Sequence, residues 1–250
     1  MSIFIQRPRD RLLHIGSLGG LQYRSMGQGA VVLPCYYLSF DGFDDVINLA
    51  ATTLSPPCTV SVWLKRASIN TADGIIGATV GNRFWYLDSS ATNVAYVRTG
   101  GGVSSSAGVW SSTDWVHGAI VLRNGASAIH YRNGVDVSGA PVTMTNLDNV
   151  SEIGRAAINN AYCFHGFLAV FGIAPAVLDV PALWAAGTFH QPLDPTVFST
   201  ACWNMRQEGG AGTALIDEAI TPWNGAFKGA GEPAWGGLMS VGGPAGWSDT

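Results

Sequence analysis

The stretch LSFDGFDDVINLA holds three aspartates within five positions, Asp41, Asp44 and Asp45. Carboxylates in such a cluster can hold a calcium ion, which takes six to eight oxygen ligands. They can equally stabilise a tight turn, because an aspartate side chain bonds to nearby backbone amides and Asp41-Gly42 is a turn dipeptide. No spacing rule connects the three aspartates to further ligands. We therefore predict a turn and no bound metal, with calcium as the weaker alternative.

Glycoside hydrolysis would require two carboxylates placed roughly 5–10 Å apart. The sequence contains four glutamates, Glu152, Glu208, Glu218 and Glu232. None belongs to an alternating run of carboxylates along a strand. Glu218 and its neighbour Asp217 point to opposite faces if the chain is extended there. We therefore predict that the protein is not a glycosidase.

The histidines, serines and cysteines form no other catalytic or metal-binding pattern. His117, His130 and His165 lie inside strand-like runs, where an isolated histidine is usually packed and hydrogen-bonded. The sequence lacks the G-x-S-x-G elbow of serine hydrolases. Zinc is not expected, because neither C-x-x-C spacing nor pairing with histidine is found among the cysteines, which are Cys35, Cys58, Cys163 and Cys202. We predict a protein without enzymatic activity or cofactor and, since no export signal is seen, with reduced cysteines.

Tryptophan is abundant, with nine copies in 250 residues. Trp85 and Trp110 lie near predicted loops and are our candidates for glycan binding, because exposed aromatic rings stack on sugars or anchor protein interfaces. Tryptophan is also highly buried on average, so a packed position is an equally open alternative for both.

The composition limits the classes of partner. Only 12% of the residues are charged, against about 25% in an average globular protein. Such a surface is either covered by partners or prone to self-association. The net charge of −4 argues against a nucleic-acid partner. No apolar run approaches the ~18 residues of a membrane helix, and the start, MSIFIQRPRD, does not resemble a secretory signal.

Strand-like runs recur about every ten residues from Tyr36 onward, separated by glycine, asparagine and serine. TVSVWLK, at 59–65, alternates and would place its three aliphatic residues on one face. Asn133-Gly134 lies between two β-type runs and supplies the positive φ angles of a two-residue type I′ turn. This spacing predicts a sandwich or jelly roll rather than a βαβ fold.

One short helix is predicted near residue 180. Asp179 is its expected N-cap, Pro181 lies in its first turn and Gly187 ends it.

Residues 1–34 are predicted to form an extended N-terminal arm. The glycines at 16, 19, 20, 27 and 29 break any periodicity. The segment carries one acid, Asp10, and four of the thirteen basic residues, Arg7, Arg9, Arg11 and Arg24. We expect these arginines to bind an acidic partner.

The order of the motifs resembles the laminin-G-like branch of the concanavalin A-like lectin and glucanase jelly rolls. The motifs are LSFDGFDD, TVSVWLK, WVHGAIV, IHYRNGVDV, IGRA, FHGFLAVFGI and ALWAAG, which together cover about residues 36–190. The stretch 202–235 also resembles phrases near the end of such domains and is expected to supply a closing strand. The resemblance implies an all-β, two-sheet antiparallel sandwich. Relatives of this kind bind glycans, mediate adhesion or serve as architectural modules, and the fold alone does not choose among these.

The organisation we expect is an arm at 1–34, a jelly-roll domain at 35–240 and a C-terminal tail at 241–250. The low charge and basic arm favour a virion structural protein, a capsid decoration or minor capsid or tail subunit of a bacteriophage. In this hypothesis the arm and tail bind neighbouring subunits, the protein is a homo-oligomer and it assembles in the host cytoplasm. The alternative is a glycan-binding module for host adhesion.

Overall fold

The computed structural model describes residues 3–7, 11–15, 35–78, 84–88, 94–99, 102–107, 110–156, 162–205, 214–219, 222–228, 233–242 and 246–249. It divides the chain into two compact units, Met1–Val32 and Leu33–Thr250.

The first unit contains an antiparallel hairpin. Strands β1 (Ile3–Arg7) and β2 (Arg11–Ile15) pair with Arg7 opposite Arg11. The expected extended arm therefore includes regular structure that the sequence reasoning missed. Arg9 and Arg24 lie outside the described residues, and partner binding by the arginines stays a prediction.

The second unit is built almost entirely of strands. In chain order they are β3 (Cys35–Asp41), β4 (Val46–Leu54), β5 (Cys58–Arg66), β6 (Asp73–Ala78), β7 (Phe84–Leu87), β8 (Ala95–Thr99), β9 (Gly102–Ser105), β10 (Val116–Leu122), β11 (Ile129–Arg132), β12 (Val135–Asp136), β13 (Leu147–Ile153), β14 (His165–Ala174), β15 (Ala201–Trp203), β16 (Ala214–Leu215), β17 (Gly225–Lys228), β18 (Ala234–Gly242) and β19 (Gly246–Asp249). A short helix, α1 (Val180–Ala185), and a 3-10 turn at Thr188–His190 follow β14.

These strands form two antiparallel sheets, which confirms the predicted sandwich. The first sheet has the order β12-β11-β10-β5-β14-β3-β18-β19, with β15 also paired to β14. The second sheet has the order β16-β17-β4-β13-β6-β7-β8-β9. The C-terminal region supplies closing strands as expected. It also supplies β19, which pairs with β18, so part of the predicted tail at 241–250 belongs to the first sheet.

The core lies between the sheets and follows strand alternation. Val60, Val62 and Leu64 on β5 are fully buried, as the sequence pattern predicts. Thr59 and Trp63 on the opposite face of β5 are buried as well. The segment after β14 covers that face, and the Trp63 indole donates to the Phe189 carbonyl at 2.6 Å.

The predicted turn and helix are both confirmed. Asn133 and Gly134 have φ angles of 50° and 75° and join β11 to β12. The Asp179 carboxylate accepts a hydrogen bond from the Ala182 amide at the start of α1, and Gly187 follows the helix with a φ of 73°. No helix in the described ranges is long and apolar enough to span a membrane.

A buried ion pair ties β5 to β6. Arg66 donates to Asp73 at 2.6 Å, and the side chains are 1% and 0% exposed. Asp73 also accepts from the His165 amide at 3.0 Å, while Arg66 donates to the Trp110 carbonyl at 3.2 Å. Because each charge has several partners, the pair is held in one geometry at the edge of the core.

Candidate functional site

The acidic cluster forms the predicted turn. One Asp41 oxygen accepts from the amides of Phe43 and Asp44, at 2.7 and 3.3 Å. Asp45 accepts from the Asp41 amide at 2.8 Å, and burial raises the pKa of the Asp45 carboxyl. The three carboxylates each place an oxygen within 4.8 Å of the others. At one ligand atom each, they supply fewer ligands than the six to eight that calcium takes, so calcium binding here stays a hypothesis.

The two tryptophans proposed as glycan ligands are buried in the core, and that prediction is wrong. Trp85 is 0% exposed and Trp110 is 2% exposed. A Cβ added at Gly118 would lie 3.1 Å from the Trp110 ring and 3.3 Å from the Trp85 ring, so this glycine makes room for both indoles. The Trp110 indole donates to the Ser106 hydroxyl at 3.0 Å. Neither ring has a face available to a sugar.

The buried histidines behave as packed residues, as predicted. The His117 Nε2 lies 2.8 Å from the Ser61 hydroxyl, and the His130 Nε2 lies 3.1 Å from the Ser104 hydroxyl. Both histidines are 0% exposed, so no substrate reaches these serine–histidine pairs. Burial lowers the pKa of His117 to about 3 and that of His130 to about 4.

Glu208 and Glu232 lie outside the described residues. The other carboxylates considered for glycoside hydrolysis have structural partners. Glu152 is buried and forms an ion pair with Arg155. Asp217 accepts from three backbone amides, one of them that of Cys202 at 2.7 Å. Glu218 accepts from Asn204 at 3.1 Å. In the described part of the chain these groups stabilise the fold.

A different set of aromatic residues reaches the surface on the second sheet. Strand β8 alternates, with Ala95, Val97 and Thr99 buried and Tyr96 and Arg98 turned outward. On β7 the inward positions are Trp85 and Leu87, which leaves Tyr86 on the outer face. The two tyrosines lie opposite each other in the register of the two strands.

Three tyrosines stack side by side on this face. The Tyr86 ring stacks on the Tyr96 ring, with centroids 5.1 Å apart and planes 20° apart. It stacks equally on the Tyr162 ring, at 5.1 Å and 18°. We call Tyr96, Tyr86 and Tyr162 the tyrosine row. It crosses the strands, and its outermost member, Tyr162, is 41% exposed.

Backbone geometry fixes the position of Tyr162. The residue lies just before an isolated bridge between Arg155 and Cys163, and its carbonyl accepts from the Gly74 amide at 2.9 Å. A Cβ at Gly74 would lie 2.3 Å from that carbonyl oxygen, so only glycine admits this close approach. Tyr162 has a φ of 56°, an uncommon value for a residue with a side chain. Such strain persists where surrounding contacts impose it, and is frequent at functional sites.

The electrostatics keep the Tyr86 phenol neutral and able to donate a hydrogen bond. Burial raises the pKa of the Tyr86 phenol to about 12. The nearby Tyr162, Asp88 and Tyr96 groups add to this effect, while Arg98 opposes it. The Tyr86 hydroxyl is therefore protonated at neutral pH. It can donate one hydrogen bond and accept others, as sugar recognition requires.

A second aromatic group lies on the first sheet. The Tyr37 ring meets Phe167 edge-on at 5.0 Å and tilts against Trp115 at 5.9 Å, and the Lys65 ammonium lies 5.8 Å from the Phe167 ring centroid. These rings pack against one another edge-on or tilted, and only one of them carries a hydroxyl. The tyrosine row offers three hydroxyls and flanking charges, so it is the stronger candidate site.

The fold is a two-sheet antiparallel sandwich. The family model for the concanavalin A-like lectin/glucanases superfamily matches residues 41–181, more than half of the chain. The protein belongs to this family, as the order of its sequence motifs indicated. No curated protein matches the sequence.

Solved structures share the fold at low sequence identity. A presumed carbohydrate-binding protein from Bacteroides ovatus has a TM-score of 0.64 and 14% identity; the match covers 85% of this chain and 63% of that protein. A heptameric pentraxin from Limulus polyphemus has a TM-score of 0.44 and 12% identity; the match covers 62% of this chain and 82% of the pentraxin chain. A sialidase CBM40 module of Ruminococcus gnavus, bound to sialyllactose, has a TM-score of 0.42 and 13% identity; the match covers 58% of this chain and 98% of the module. The protein from Bacteroides ovatus shares the fold of this chain.

Proposed function

We propose that this protein is a non-enzymatic glycan-binding module and that the tyrosine row is its binding surface. The observation that carries the proposal is the stack of Tyr96, Tyr86 and Tyr162 on the outer face of the second sheet. Membership in a lectin and glucanase family, and the fold shared with a presumed carbohydrate-binding protein, support it.

The chemistry of a tyrosine suits a sugar. The two faces of the Tyr86 ring are covered by its neighbours. A sugar would therefore meet the apolar edges of the stacked rings and the tyrosine hydroxyls, which can donate to and accept from sugar hydroxyls. The rings have little conformational freedom to lose, since neighbours on both sides already hold Tyr86. Such preorganisation lowers the entropic cost of binding.

The test is a glycan array followed by calorimetric titration of the best ligand. We expect Tyr96→Ala and Tyr162→Ala each to weaken binding at least about tenfold, as for truncation of an aromatic anchor. Tyr37→Ala is the matched control, because Tyr37 is a partly buried tyrosine in an aromatic cluster on the other sheet. Loss of binding in the control but not in the row variants would move the site to the first sheet. An array without any bound glycan would reject the function.

The virion setting is a separate proposal that rests on the low charge and the basic N-terminal segment. Electron microscopy of an assembled particle tests it: the chain would occupy repeated positions with residues 1–34 against neighbouring subunits. A monomeric protein whose N-terminal segment contacts only its own chain would reject it.

A further inference from the structure

Arg98 places a positive charge beside the tyrosine row. It lies two residues after Tyr96 on β8, and residues at this spacing share a face of the sheet. Its side chain is exposed, whereas those of its neighbours Val97 and Thr99 are buried. Within the described ranges, no ion pair involves Arg98.

One described acid, Asp88, lies on the other side of the row. Asp88 follows Tyr86 by two residues and lies just after the end of β7. Its amide donates to the Val94 carbonyl at 2.9 Å, which continues the antiparallel pairing. Because β7 and β8 run in opposite directions, Asp88 and Arg98 depart from the Tyr86–Tyr96 pair in opposite directions. Four residues of strand separate the two positions, about 14 Å. Asp88 therefore leaves the Arg98 charge largely unneutralised.

Another cation of the described part of this sheet is already paired. Arg155, near Tyr162, forms its ion pair with the buried Glu152, which cancels the charge of both. The surface around the row thus has an aromatic centre, a positive group on one side and a negative group on the other. A sugar lying along the strands across the tyrosines would meet Arg98 at one end.

We infer that the ligand is an anionic glycan whose carboxylate or sulfate group is bound by Arg98; this inference rests on the proposed function. A guanidinium presents a planar fork of N–H donors that matches a carboxylate or sulfate in two parallel hydrogen bonds. The tyrosine hydroxyls then bind the neutral hydroxyl groups of the same sugar, and Asp88 accepts from hydroxyls at the far end.

The experiment compares matched acidic and neutral ligands by calorimetry. The pairs are sialyllactose with lactose, oligogalacturonate with its methyl ester, and a sulfated with an unsulfated keratan oligosaccharide. We expect at least one acidic member to bind about tenfold tighter or more than its neutral partner, since hydrogen bonds to charged groups are stronger than those between neutral groups. The pair that shows the preference identifies carboxylate or sulfate as the group. The preference should shrink as salt is added, because the contact is exposed.

Single-residue variants distinguish the contribution of Arg98 from that of the overall charge of the protein. Arg98→Gln should abolish the preference for the acidic ligand, and Arg98→Lys should retain part of it. Lys228→Gln removes the same charge from an exposed position on β17 and should leave the preference intact. In the strand order β17 and β8 are five positions apart, about 24 Å.

The experiment distinguishes failure of the anionic-ligand inference from failure of the proposed glycan-binding function. Equal binding of the acidic and neutral members, with loss of both in Tyr96→Ala, would overturn the anionic ligand and leave the tyrosine site standing. An unchanged preference in Arg98→Gln would also overturn the role of Arg98. Absence of binding to any glycan, acidic or neutral, would overturn the inference together with the proposed function.

Discussion

Tyr86 and Tyr96 lie directly opposite each other on neighbouring antiparallel strands, and their rings stack with centroids 5.1 Å apart. The same strands turn Trp85 and Val97 into the core. One set of side chains therefore holds the sandwich together while the alternating set forms a surface. The proposed glycan site depends on this alternation of inward and outward side chains.

Separate substitutions of Tyr96 distinguish the ring from the hydroxyl. Tyr96→Phe keeps the stack on Tyr86 and should weaken glycan binding about three- to tenfold through one lost hydrogen bond. Tyr96→Ala also removes the ring and should weaken it further. Because Tyr96 is partly exposed, both variants should unfold at nearly the wild-type denaturant midpoint. A large drop in the midpoint for Tyr96→Phe would mean that the hydroxyl serves the fold instead.

The ion pair between Arg66 and Asp73 should be essential for stability. Asp73→Asn leaves the Arg66 charge buried with no carboxylate opposite it, so we expect a loss of about 3–5 kcal/mol in the free energy of unfolding. Urea denaturation measures this loss. Asp114→Asn is the control, since Asp114 is exposed and should change the same quantity by less than about 0.5 kcal/mol. A loss at Asp73 no larger than at Asp114 would contradict the role assigned to the pair.

The buried histidines predict a loss of stability in mild acid. Burial holds the pKa of His117 at about 3 and that of His130 at about 4, below the ordinary 6.5. Below about pH 6.5 the two histidines bind protons in the unfolded chain but stay neutral in the folded protein. The stability of the protein is therefore full above this pH and declines below it. Each histidine contributes up to about 1.4 kcal/mol per pH unit between pH 6.5 and 5.

Urea denaturation at pH 7.5, 6 and 5 measures the slope. His117→Gln should remove about half of the slope attributed to the two histidines, whatever its own effect on stability at pH 7.5. An unchanged slope in this variant would show that other groups cause the acid sensitivity.

Local sequence patterns were sufficient to predict the sandwich, the Asn133-Gly134 turn and the helix after Asp179. In these places turn and cap chemistry act within a few residues. The hairpin at β1 and β2 was missed because glycines further along the segment masked the short strands. Residues 246–249 were assigned to a tail because the pairing of β19 depends on β18 and leaves little local signal.

The outward-facing aromatic residue of β7 lies one position after the tryptophan that the sequence suggested. In FWYL the sequence reasoning chose Trp85, the larger aromatic, although strand alternation with Leu87 places Tyr86 on the other face. On the next strand, Tyr96 and Arg98 alternate with small or apolar residues, and this alternation indicated that both side chains point outward. The contribution of Tyr162 depends on the close approach of its backbone to Gly74, a tertiary contact that no local pattern encodes.

The most direct test of the account maps glycan binding residue by residue. Backbone and aromatic-ring NMR shifts of the labelled protein are recorded as the best array ligand is added. The account predicts that the largest changes occur at Tyr86, Tyr96, Tyr162 and Arg98, with little change at Tyr37 and Trp115. Changes centred on Tyr37 and Trp115, with the tyrosine row unaffected, would contradict it.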